Sequence, residues 1–212
     1  MTITRTDISK WLMAFADAIA VNKEYLDRLD AAIGDGDHGS NLERGCQAML
    51  LKLPTVIDQD AEAIFKAVGM ALVAAVGGAS GPLYASLFIQ MGIACAGKSR
   101  LSLQEWVAAL EAGIQSMQLR GQANPGEKTM LDSLLPALEV LNAAASQGAS
   151  VADALPLAEQ AAHRGMLATI PMVARKGSAS FLAERSAGHQ DPGATSAYML
   201  IQTAAQVWSN VA

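Results

Sequence analysis

Three aspartates, Asp30, Asp35 and Asp37, fall within eight residues, interleaved with Gly34, Gly36 and Gly39. Carboxylates confined this closely repel one another, and a cluster left uncompensated is expensive to fold. A hard divalent cation removes that cost. One or two carboxylates completed by water and phosphate oxygens suit Mg2+. The calcium EF-hand loop does not fit, because its twelfth position needs a bidentate Glu. Counted from Asp35 that position is Cys46, and counted from Asp30 it is Asn41. The competing reading is an Asp-Gly turn that only caps the next helix.

His38, Ser40 and Asn41 follow at the expected start of a helix, where free N–H groups and partial positive charge receive phosphate. His38 can donate to a phosphate or stand as a solvated loop histidine. No Cys or second His lies at zinc-ligand spacing. A second run into a helix start is Gly77-Gly78-Ala79-Ser80-Gly81-Pro82, whose small residues permit close approach to a phosphate or close helix packing. The stretch 121–129 ends Gly-Glu-Lys-Thr but is no P-loop: Glu127 separates Gly126 from Lys128, and no strand precedes it. Arg175, Lys176, Arg185 and His189 gather positive charge before Asp191-Pro192-Gly193, a loop able to meet a nucleotide phosphate or a phosphorylated partner, or simply to be solvated. The Met and Leu positions of the helices read as core, with Met130 excepted as an apolar contact for a base. No Ser-His-Asp or Cys-His nucleophile is visible. Phosphoryl transfer needs none, since metal charge and positioning carry it.

The elements that must position these residues are helices. Of 212 residues 51% are apolar and 17% charged, which excludes general disorder. There are 41 Ala, while Phe, Trp and Tyr reach only 5%, a composition for closely packed helices rather than strands. A net charge of -5 provides no basic stripe for nucleic acid. Two cysteines fit a reducing, cytoplasmic setting, and no secretory signal is expected from the N-terminal residues. The uncharged run 67–97 is broken by its central Gly-rich loop, so no membrane span is expected.

Apolar spacing marks helices at Ile8–Ile19 (begun near Thr6-Asp7), Tyr25–Ile33, Leu42–Leu53, and Ile64–Val76 (begun near Asp58 or Asp60). Pro82 opens another, Ser102-x-x-Glu105 is a capping box, and a segment from Thr129 starts or kinks at Pro136. Ser150 caps the next, and Asp191-Pro192 starts the last. The expected fold is all-α, one domain over 1–212, an up-and-down barrel of about eight amphipathic helices. The irregular segments 34–40, 77–81, 120–128 and 175–192 follow alternate helices, so all four lie at one end. That end is the place for a composite site holding Mg2+ with a polyphosphate.

Taken in order, Asp30-x4-Asp35-Gly-Asp37-His38-Gly39-x-Asn41, GGASGPL at 77–83, PGEKTM at 125–130 and ARKGSASFLAERSAGHQDPGATS at 174–196 resemble the nucleotide-binding subunits of bacterial dihydroxyacetone kinases over essentially the whole chain. The resemblance implies a barrel of eight helices with ADP at one end through a pair of magnesium ions. By position, Asp30, Asp35 and Asp37 would hold the metal. His38, Gly39, Ser40 and Asn41 would meet the phosphates, with Ala79 and Ser80 beside them. Gly121 and Met130 would contact adenosine, and Asp191, Pro192 and Gly193 would close the site. Many relatives carry a basic residue where this chain has Ser178, so a contact there is altered. The family further implies ADP kept as coenzyme, a phosphocarrier subunit of the phosphotransferase system that recharges it to ATP, and a separate dihydroxyacetone-binding subunit. It also allows a homodimer. Two other functions share the metal site: an ATP-dependent kinase subunit with exchangeable nucleotide, acting on dihydroxyacetone or a related small ketose or tetrose, and a nucleotide-sensing module without turnover.

Overall fold

No glycine or proline interrupts the chain between Arg5 and Ile33. The computed structural model, which describes residues 2–208, runs these 29 residues as one helix, α1 (Arg5–Ile33). Periodicity alone divides it in two, because apolar spacing lapses around residues 21–24. That turn lies toward solvent, and without a breaker the backbone bonds simply continue. The helix also begins earlier than expected. Thr4 is its N-cap, in a capping box with Asp7.

Among the described residues seven α-helices follow: α2 (His38–Lys52), α3 (Ala61–Ala75), α4 (Ser80–Ala94), α5 (Leu103–Gly121), α6 (Leu131–Ser146), α7 (Val151–Ala168) and α8 (Pro192–Trp208). Asp60, Ser102 and Ser150 each accept a hydrogen bond from a first-turn N–H, as their sequence positions require. Each helix packs on its sequence neighbours, and α8 closes onto α1, which makes an up-and-down barrel. Merging the first two expected helices into α1 makes the count eight. The site segments then follow α1, α3, α5 and α7, still at one end. Met1 and residues 209–212 of the expected domain lie outside the described residues.

One apolar cluster draws on all eight helices. Its centre is aromatic: Trp11 meets Trp208, Trp106, Phe88 and Phe65 at ring-centroid distances of 5.2, 6.0, 6.2 and 6.3 Å. Two buried indoles also seal the closing seam. Trp11 Nε1 donates to the Leu200 carbonyl at 2.9 Å, and Trp208 Nε1 donates to the Asp7 carbonyl at 3.0 Å. A short antiparallel pair, β1 (Ile3–Thr4) with β2 (Arg100–Leu101), ties the end opposite the site. Two residues per strand are too few to leave an alternating pattern in the sequence.

Proline 136 neither starts nor ends its helix, but sits within α6. It leaves the Asp132 carbonyl without the usual i+4 donor. The backbone of α7 comes down on that carbonyl at Gly165, where an added Cβ would lie 2.0 Å from the Asp132 oxygen. Because that neighbour is backbone, it cannot rotate away. Gly165→Ala is therefore expected to lower unfolding free energy by about 1–3 kcal/mol in urea denaturation. Unchanged stability would mean that the α6–α7 approach is not set here.

Candidate functional site

Helix α1 delivers Asp30 in its last turn, buried, at the negative end of the helix dipole. The chain then reverses through residues 34–37 and wraps its N–H groups around that carboxylate. Asp30 Oδ2 accepts from the backbone of Gly36 at 3.0 Å, Asp37 at 2.9 Å and His38 at 3.2 Å. Burial still raises the Asp30 pKa, and the Asp35 charge adds to it, while these three N–H groups pull it down. Asp35 and Asp37 are exposed, and one oxygen from each of the three acids falls within 4.8 Å of the others. Among the described residues no ion pair neutralises any of them. Three hard oxygen donors on one side of a turn, with the innermost already oriented by backbone, fit a magnesium ion.

The acids form one wall of a cavity of about 530 Å³ at the loop-rich end of the barrel. The next wall is Gly78, Ala79 and Ser80, leading into α4, whose N-terminus has no side-chain cap and so presents unpaired N–H groups. Asn41 stands beside it, its Oδ1 accepting from Arg44, whose Nε donates to the Ala75 carbonyl at 2.9 Å. With Oδ1 so engaged, the amide keeps its N–H donors for the cavity. Farther in, Leu83, Met117, Ala123, Met130 and Leu131 make an apolar slot, with Arg120 and Gly121 at its rim. Lys176, Ser178 and Asp191 to Gly193 complete the lining, with Ser178 Oγ beside Gly34 and the Asp30 carboxylate. Such a space suits a ligand with a charged tail and a flat apolar head.

The DAK2 domain family profile matches residues 32–206. The chain belongs to the DAK2 domain family. It is 44% identical over 202 residues to the Escherichia coli K12 protein "PEP-dependent dihydroxyacetone kinase, ADP-binding subunit DhaL", covering 95% of this chain and 96% of that protein. Identity to the Lactococcus lactis "PTS-dependent dihydroxyacetone kinase, ADP-binding subunit DhaL" is 40%, covering 93% and 95%. It is 36% identical to mouse "Triokinase/FMN cyclase" over 87% of this chain but only 32% of that protein. Among solved structures, the dihydroxyacetone kinase of C. freundii in its native form superposes with a TM-score of 0.74 at 26% identity. The match spans 94% of this chain and about a third (34%) of that one. The same kinase in complex with AMP-PNP and Mg2+ gives 0.73 at 24% identity, the DAK2 fold alone.

Thirteen of the fifteen residues singled out from the DAK2 sequence line this one cavity: Asp30, Asp35, Asp37, His38, Asn41, Ala79, Ser80, Gly121, Met130, Ser178, Asp191, Pro192 and Gly193. Gly39 and Ser40 do not. A Cβ on Gly39 would lie 2.1 Å from the Lys23 carbonyl, so that glycine lets α2 lie against α1. Ser40 is turned away, its Oγ donating to Asp27 at 2.6 Å and its N–H at 2.9 Å. His38 does not bring a positive charge either. Its Nε2 is bonded to Ser196 Oγ at 2.9 Å, and burial pushes its pKa down to about 4. Of the expected basic loop only Lys176 lines the cavity, while Arg175, Arg185 and His189 are exposed. Leu83, Met117 and Leu131, read as core, double as lining, which periodicity cannot distinguish from packing.

Burial pushes the Asp191 carboxyl up to about 7, against the downward pull of the Ala194 N–H it accepts and of the Lys128 charge. Between pH 7 and 4 the folded chain takes a proton on Asp191 that the unfolded chain does not yet bind, and this adds stability as pH falls. From about 6.5 down to about 4 the unfolded chain takes a proton on His38 that the folded chain refuses, which removes stability. Asp191→Asn deletes the first effect and keeps the second. The variant is expected to lose stability more steeply than the parent from pH 7 to 4 in metal-free urea denaturation. Superimposable profiles would show that Asp191 takes up no proton in that range.

Proposed function

We propose that this chain is the ADP- and Mg2+-binding subunit of a PEP-dependent dihydroxyacetone kinase. The nucleotide is kept as coenzyme, recharged by a phosphocarrier subunit of the phosphotransferase system, and its phosphoryl group is passed to dihydroxyacetone on a separate substrate subunit. One observation carries the reading: an unneutralised trio of acids, an uncapped helix N-terminus and an apolar slot meet in one cavity. The full-length relation to DhaL subunits supports the same assignment.

In this reading Asp30, Asp35 and Asp37 hold a pair of magnesium ions, with Asp30 kept rigid by the three N–H groups of the turn. Bound magnesium supplies positive charge to a diphosphate tail that would otherwise be repelled by the acids. The α4 N-terminus, Ala79, Ser80 and Asn41 offer the remaining donors to that tail. Leu83, Met117, Gly121, Met130 and Leu131 enclose the base, and Pro192 and Gly193 close over it. Positioning and charge are what such a subunit contributes, since phosphoryl transfer requires little else from protein. Among the described residues no helix is long and apolar enough to cross a membrane. A cytoplasmic kinase subunit accords with that and with the two free cysteines.

The match to a third of triokinase/FMN cyclase favours a second reading, direct use of exchangeable ATP on dihydroxyacetone or a related small sugar. Exhaustive desalting separates the two. Retained stoichiometric ADP, with activity that requires PEP and both partner subunits, is the expected result; free exchange of nucleotide supports the second. For the metal, Asp35→Asn is expected to forfeit most of the rise in melting temperature that Mg-ADP gives the parent. Without metal the variant should melt no lower than the parent, because one repelling charge is gone. Unaltered Mg-ADP binding by Asp35→Asn would refute the metal assignment.

A further inference from the structure

Lys128, in the connection between α5 and α6, is only 1% exposed. Among the described residues no ion pair holds its ammonium. Its three N–H groups are shared instead among four main-chain carbonyls: Thr169 at 2.8 Å, Met172 at 3.1 Å, Ser186 at 2.9 Å and His189 at 2.5 Å. Four acceptor oxygens around one nitrogen leave no place for a lone pair, so the group is held charged although burial lowers its pKa. The Asp191 charge works in the same direction as the carbonyls. The Lys128 backbone sits at φ +64°, a left-handed conformation that a non-glycine residue adopts only when its surroundings enforce it.

The four carbonyls stand at the two ends of one segment, residues 169–191. Thr169 and Met172 follow the C-terminus of α7, the negative end of its dipole, and Ser186 and His189 precede α8. Between them the segment sends Lys176, Gly177, Ser178 and Ala179 into the cavity wall. The segment has neutral ties too: Gly188 N–H donates to Ile170 at 2.7 Å, Ala174 N–H to Ser186 Oγ at 2.8 Å, and Arg175 N–H to Glu127 at 3.1 Å. Lys128 differs in holding both ends at once from the α5–α6 connection, which itself gives Ala123, Lys128, Thr129 and Met130 to the cavity lining. A P-loop lysine spends its N–H groups on phosphate. This one has none left to give.

We propose that Lys128 is the positioning residue that makes the chain retain its nucleotide, clamping two walls of the cavity together through the backbone of 169–191. The proposal rests on the coenzyme reading above and names what sets retention. Bound nucleotide leaves when those walls part, and the clamp keeps that opening rare, so its loss is read in the release rate.

Lys128→Met and Lys128→Gln test it against the parent. Displacement of a fluorescent ADP analogue in Mg2+, followed by stopped flow, is expected to speed up on the order of tenfold, with association changed far less. Hydrogen exchange should rise in 122–130 and 169–191 while α1 to α4 keep their protection. A parent that loses ADP on desalting defeats the coenzyme reading, whatever the variants do. A parent that keeps ADP beside variants that release it at the parental rate defeats the clamp alone. Failure of both variants to fold, or protection lost evenly across all helices, overturns it as well, since the lysine would then support the bundle core and not the cavity wall.

Discussion

The repulsion among Asp30, Asp35 and Asp37 is the constraint around which the loop-rich end is arranged. Asp30 is the hardest case, buried at the end of a helix whose dipole already disfavours an anion. The tight turn of 34–37 answers this by aiming three N–H groups at one carboxylate oxygen. That turn also fixes where α2 begins, and so where Asn41 and the α1–α2 contact fall. Backbone donors suffice for one acid only. The remaining charge needs compensation from outside the chain, and the cavity opens at that point.

Helix directions decide what can join the acids there. Eight helices with short connections send every second loop to the same end, so four segments far apart in sequence share one rim. The other end is held by ties without chemistry: the β1–β2 pair and the capped starts of α1, α3, α5 and α7. Between them the barrel is filled by aromatic rings and small side chains, which leaves the ligand no route but the end. The two indole N–H bonds across the α1–α8 seam keep that ring shut without help from any loop.

The sequence carried the architecture because 3.6-residue spacing and capping residues are local signals. Asp60, Ser102 and Ser150 cap the helices their positions announce. Legibility failed where the cause is distant. The lapse in apolar spacing near residues 21–24 looked like a boundary, but solvent exposure, not a break, explains it. Gly39 and Ser40 sit inside a phosphate-like motif, yet Lys23 and Asp27 on α1 claim them. The value of Lys128 was hidden by the comparison it invites: tested as a P-loop lysine it fails, and its actual partners lie 41 to 61 residues away. Asp132 was equally silent, although it accepts from the Gly126 and Thr129 N–H groups and shapes the same connection.

Fixed charge around the cavity is divided by depth. Asp35 and Asp37 lie at the open side, Asp191 is pushed toward neutrality, and Lys128, the one buried cation among the described residues, is consumed by carbonyls. His38 contributes no charge near neutral pH and is committed to Ser196, itself bonded to the buried Tyr84 hydroxyl. Ser80 and Ser178 line the cavity, but its one lining histidine, His38, is engaged by Ser196. A phosphoryl group reaching this end therefore meets donors and a cluster of acids able to hold a metal, but no activated nucleophile among the described residues. On the proposed reading the acceptor hydroxyl arrives on another protein. On the same reading the donor does so too, and both transfers pass through the open end of the cavity, whose lining segment 176–179 is flanked in sequence by exposed Arg175 and Phe181.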